Sequence, residues 1–142
     1  MVKLTRNILA ILLGVVIGGA VNMALITLSP SLIAPPVGVD VTNTESLTKA
    51  MHLFEPRHFL MPFLAHAIGT LAGALVAYMI AATTKARFSY AIGVVNLCGG
   101  IAASFMIPAP IWFIVIDLVA AYLPMAWISI QIGQRLQHGN GV

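Results

Sequence analysis

Four polar side chains interrupt the long apolar stretches of this sequence: Asn22, His66, Asn96 and Asp117. An acid and an imidazole that meet away from water titrate as a coupled pair and can pass a proton between them. An Asp near mid-membrane costs roughly 2.5–3.5 kcal/mol on insertion scales, so Asp117 needs a partner. His66 is the only basic side chain inside the apolar stretches. The expected cluster is a His66–Asp117 pair with Asn22 beside it and Asn96 beneath.

Three uses of such a cluster follow from its chemistry. The leading one is a polar clasp that fixes helix register, each such bond being worth only about 0.6 kcal/mol. The second is a proton or small-solute site, the common role of ionisable groups at depth. The third is a metal site that adds His52, Glu55 and His58 of the outer loop to the pair. His58 and His66 are two helical turns apart rather than one, so no metal is assigned. No cofactor is expected either, since a haem would need a second deep histidine. No catalytic residue is assigned. Ser104 is the sole central serine, and no oxyanion feature accompanies it. Cys98, the single cysteine, excludes an internal disulfide and reads as an inert packing residue.

The elements that must carry these residues are membrane helices. Of the 142 residues, 60% are hydrophobic and 8% charged, with a mean hydropathy of +1.00. A soluble domain carries about 25% charged residues, so this composition excludes a soluble enzyme, a disordered tail and a nucleic-acid module. Four stretches approach the roughly 20 residues that cross a bilayer: 7–28, 59–82, 90–107 and 111–133. The expected fold is all-α, one domain over 1–142, a four-helix transmembrane bundle. The third stretch is shortest and rich in glycine, so a re-entrant hairpin is its alternative. At 1.5 Å per residue, Asn22, His66 and Asp117 lie roughly 9–11 Å below the outer boundary, and Asn96 roughly 17 Å.

Charge sets the orientation. Lys3, Arg6, Lys85, Arg87 and Arg135 fall on one side and only Lys49 and Arg57 on the other, which makes both termini cytoplasmic. A bacterial inner membrane fits this bias. The apolar run after Lys3 and Arg6 is too long for a signal peptide and reads as a retained helix. The outer loop, 29–58, opens with an extended proline-rich stretch, Pro30 then Pro35-Pro36. Thr42-Asn43-Thr44-Glu45 matches a capping box. Leu47, Ala50, Met51 and Phe54 then follow at helical spacing, which predicts a short amphipathic outer helix. Its expected role is a docked cover for the helix ends, with a mobile gate as the alternative.

Small residues recur every four positions: Ala10, Gly14 and Gly18; Ala65, Gly69, Gly73, Ala77 and Ala81; Gly100 and Ser104. Such stripes let helix backbones approach, within a chain or between chains. Pro62 and Pro124 predict kinks in the second and fourth spans, the latter freeing the carbonyl of Ala120. The leading functional expectation is a non-enzymatic structural or partner subunit of a membrane assembly. Its partners would be the lipid bilayer and a homo-oligomer or larger membrane complex, with no nucleic acid. The alternative is a small transporter, channel or proton-coupled carrier using the His66–Asp117 pair.

Overall fold

Long runs of Leu, Ile, Val and Ala with few breakers satisfy their backbone polar groups internally, as a bilayer demands, and they form helices. The computed structural model describes residues 2–139, so Met1 and positions 140–142 of the expected domain lie outside the described residues. The order is α1 (Val2–Leu32), α2 (Thr44–Ala50), two 3₁₀ turns (Met51–Leu53 and Pro56–Phe59), α3 (Leu60–Ile80), α4 (Lys85–Met106), α5 (Ile111–Ala120) and α6 (Leu123–Gly139). Among the described residues the regular structure is all-α. Four segments are long and apolar enough to cross a membrane: Val2–Leu32, Pro56–Ile80, Lys85–Met106 and Ile111–His138.

Several boundaries depart from the sequence expectation. The third span begins at Lys85 and is a complete helix of 22 residues, not a hairpin. Two of its three glycines, Gly93 and Gly100, serve as contact points: a Cβ on Gly93 would lie 2.8 Å from the Ala126 methyl group. Pro30 is not extended but sits inside the last turns of α1. Pro62 produces no break, because it is the third residue of α3, where its missing N–H would have no intrahelical partner. The fourth span is interrupted rather than kinked. α5 stops at Ala120, and Pro124 occupies the first turn of α6, a position proline tolerates. The Ala121 N–H still bonds the Asp117 carbonyl, and the Ala126 N–H bonds that of Tyr122.

In the outer loop the cap of α2 is Asn43, one residue later than expected. Its side chain accepts from the Ser46 N–H at 3.0 Å. Thr42 instead gives both its N–H and its hydroxyl to Asp40. A capping box does form, at Glu55 and His58, where the Glu55 N–H donates to His58 Nδ1 at 2.9 Å. Leu47, Ala50, Met51 and Phe54 are half-buried, whereas Glu45, Lys49, His52 and Glu55 are exposed. The outer segment thus lays its apolar face on the bundle.

α3 is the central helix, in contact with α1, α4, α5 and α6. The small stripes close this core within one chain. The buried residues of α1 are Ala10, Gly14 and Gly18. A Cβ on Gly18 would lie 2.9 Å from the Gly69 carbonyl oxygen, and one on Gly73 would run into that of Gly14. Behind this seam, Ala74, Ala77, Ile92 and Ala126 form a buried apolar cluster. At the N-terminal end of α1, Arg6 gives two hydrogen bonds to the Ile80 carbonyl, where unpaired acceptors collect at a helix C-terminus. Asn7 holds both the Ala82 N–H and the Thr83 hydroxyl. Arg6 and Asn7 thus clamp the end of α3 and the turn that follows it. Cys98 is exposed on α4, which corrects the expectation of a packing residue within this chain.

Candidate functional site

Asp117 lies in the second turn of α5, and His66 in the second turn of α3. The two helices start together at the outer end, so equal depth brings the side chains into register. His66 Nδ1 lies 2.9 Å from Asp117 Oδ1 and 3.0 Å from Oδ2. The Tyr122 hydroxyl donates to Oδ2 at 2.9 Å. The His66 and Tyr122 rings stack, centroids 5.8 Å apart and 28° between planes. Tyr122 reaches Asp117 because the helix stops between them. In an unbroken helix, residues five apart point about 140° away from each other. The interruption at Ala121–Tyr122 therefore builds the site, and Gly100 makes room for it, since a Cβ there would overlap the Tyr122 hydroxyl.

The expected pair therefore forms, with two changes to its surroundings. Asn96 does not join it. Its Nδ2 donates instead to Thr70 Oγ1 at 3.0 Å, one turn below His66 on α3. Asn22 makes no hydrogen bond to the pair; its Oδ1 is buried and has no partner among the described residues. Of the glycines expected at helix contacts, Gly14, Gly18, Gly69 and Gly73 pair α1 with α3, while Gly100 faces Tyr122. His52, Glu55 and His58 do not gather with His66 and Asp117, and no set of three such side chains converges among the described residues.

Two cavities meet at His66. The outer one, about 280 Å³, is roofed by Leu47, Met51 and Phe54 and floored by His66 and Asp117. The inner one, about 400 Å³, is lined by Gly18, Asn22, Thr70, Asn96 and Tyr122, and its rim includes the exposed Gly19, Val95 and Gly99. His66, Gly100 and Ala103 border both. The Asp117 side chain is 6% exposed and that of His66 26%, so the imidazole is the part of the pair that a solute can reach. No family model, curated protein or solved structure matches the chain.

The hydrogen bonds fix the chemistry. An Asp117 carboxylate that accepts from Tyr122 and from Nδ1 requires the proton on Nδ1, which leaves Nε2 of the neutral ring as a bare acceptor. Nε2 has no protein partner among the described residues. No Lys, Arg or Glu lines either cavity. The carboxylate is therefore held by neutral donors unless His66 takes up a second proton. Sequence reasoning missed Tyr122. The available signal was a tyrosine deep in an apolar span, whose hydroxyl needs a partner, placed two residues before a proline.

Proposed function

We propose that the chain is a small, non-enzymatic membrane protein that exchanges a proton at His66 and Asp117 and works as a proton-coupled carrier. Both termini face the cytoplasm, and a bacterial inner membrane is the site of action. The observation that carries this reading is His66 itself. One ring nitrogen is bonded to Asp117, the other has no hydrogen-bond partner among the described residues, and the side chain borders both cavities. A clasp that served only stability would gain nothing from an unsatisfied ring nitrogen beside open space. Proton flux into proteoliposomes carrying a pH-sensitive dye tests the reading. Flux between about pH 5 and about pH 8 is expected, lost in Asp117→Asn and His66→Gln. Vesicles that pass no protons anywhere in that range would overturn it.

A second reading, a structural subunit of a larger membrane assembly, is favoured by the chain's small extramembrane mass and by the exposed apolar surface of α1 and α4. On that surface a Cβ at Gly19 or Gly99 would touch nothing within 4 Å. The stripe Gly14, Gly18, Gly69 and Gly73 does not add to this reading, because it is used inside the chain. Higher-order species after gentle solubilisation would support it, and a stable monomer without companions would count against it.

A further inference from the structure

We infer that the outer cavity binds an amphiphilic organic cation, its charged head on Asp117 and His66 and its apolar body beneath the outer helix. The inference rests on the proton-exchange reading and names the class of solute that reading leaves open.

Charge balance comes first. Asp117 receives hydrogen bonds from Tyr122 and His66, both neutral when His66 carries one proton. The ionisable groups that face the pair are Tyr122 and, across the cavity, His58 on the 3₁₀ turn before α3. His58 accepts the Glu55 N–H at Nδ1, so its ring is neutral as placed. Arg57 is engaged with Glu55 outside the cavity. With Asp117 ionised and His66 carrying one proton, the site holds one negative charge at low dielectric, where an uncompensated carboxylate is costly. A proton on His66 balances it, and so does a cation. A neutral amphiphile leaves the charge unbalanced, and an anion adds to it.

The walls then select the body. Ile26, Met51, Phe54, Phe113 and Ile114 line the space above the pair, and the polar atoms there are few. A small inorganic cation would leave those walls empty. An engineered apolar cavity of about 150 Å³ holds benzene, so about 280 Å³ takes a body of roughly twice that size, about ten to twelve non-hydrogen atoms. The roof can yield. Among the described residues, every hydrogen bond of residues 33–54 stays within the outer segment or reaches back only to the end of α1. Lifting α2 therefore costs apolar contact and no hydrogen bond to the helices below.

Proton and cation compete for one site. When an ammonium head seats on Asp117, the extra proton of the His66 imidazolium leaves to outer water, the ring becomes neutral, and total charge in the site is unchanged. The test uses the full chain in lipid nanodiscs, with empty nanodiscs as blank, titrated with n-octylammonium and with n-octanol. Expected are saturable binding of the ammonium, proton release on binding at mildly acid pH, and affinity at least about tenfold above that of the alcohol. Asp117→Asn should abolish that preference. Met51→Trp, which fills the roof and leaves the pair intact, should weaken ammonium binding by a similar factor. Equal binding of alcohol and ammonium, or an unchanged preference in folded Asp117→Asn, would overturn the inference and make the cavity a slot for a lipid tail. Proton flux with no ammonium binding would overturn this inference alone. Ammonium binding that releases no proton would overturn the competition and count against the proton reading too.

Discussion

At the scale of single residues, the decisive fact is that Asp117 is held by two donors that bring no fixed charge. A clasp and an exchange site make opposite demands on it. A clasp needs the carboxylate for stability. An exchange site keeps a costly charge for activity, and removing the charge relieves the fold. Asp117→Asn preserves shape and is therefore expected to melt at the same temperature as the parent or higher, measured in mild detergent. A melting point several degrees lower would assign the pair to structure. Tyr122→Phe removes a donor and leaves the charge. It is expected to destabilise by about 1.5–3 kcal/mol, the range for hydrogen bonds to charged groups. In the Asp117→Asn background the same change should cost less, because the two residues share one interaction.

At the scale of elements, the outcome is decided by where backbones touch and where a helix stops. Gly73 faces the Gly14 carbonyl directly, whereas Gly99 faces open space. Gly73→Val is expected to cost about 1–3 kcal/mol or more through overpacking of the α1–α3 seam. Gly99→Ala should be neutral or slightly stabilising, since alanine is the better helix former. Reversible unfolding in mixed micelles would measure both, and a harmless Gly73→Val would contradict the seam. The outer loop offers a pH readout. Asp40 accepts two hydrogen bonds from Thr42, which hold its carboxyl below the ordinary 3.8. A lowered folded value means that the contribution is complete above the unfolded value and is lost as pH falls through the folded one. The Thr42 amide shift should therefore titrate with a midpoint below 3.8 and lose that transition in Asp40→Asn.

The elements show how far sequence carries. Apolar run length located all four spans, and glycine spacing marked residues at which helices touch, because both depend on composition at fixed period; that α1 and α3 meet there within one chain came from the structure alone. The interruption at Ala121–Tyr122 was only half legible. Pro124 announced a disturbance, but whether a proline bends a helix or begins a new one depends on the turn before it. The α2 cap moved by one residue because Asp40 competed for Thr42. Pairing of Thr70 with Asn96 was hidden for a similar reason: shared face and depth predict proximity, not which of several neighbours a side chain chooses.

At the scale of the whole molecule, α3 carries His66, Thr70 and the glycine seam on adjoining faces, His66 and Gly73 lying about 20° apart around the helix, so the seam that assembles the bundle also orients the site. α1 supplies Asn22 to the inner cavity, α5 supplies the acid, the break supplies Tyr122, and the outer segment roofs the result. The meeting of His66 and Asp117 was legible from depth and from the scarcity of other partners. The open space on either side was not, since cavities arise from the shapes of several helices together. The central claim is that Asp117 fixes the proton on His66 Nδ1 and leaves Nε2 open to accept another. Nitrogen NMR of the full chain with labelled histidine reads both ring nitrogens directly. The expected spectrum at neutral pH shows His66 protonated at Nδ1 and bare at Nε2, converting to the doubly protonated ring on acidification, with the Nδ1 preference lost in Asp117→Asn. A His66 ring protonated at Nε2, or an Nδ1 preference that survives in Asp117→Asn, would contradict the account.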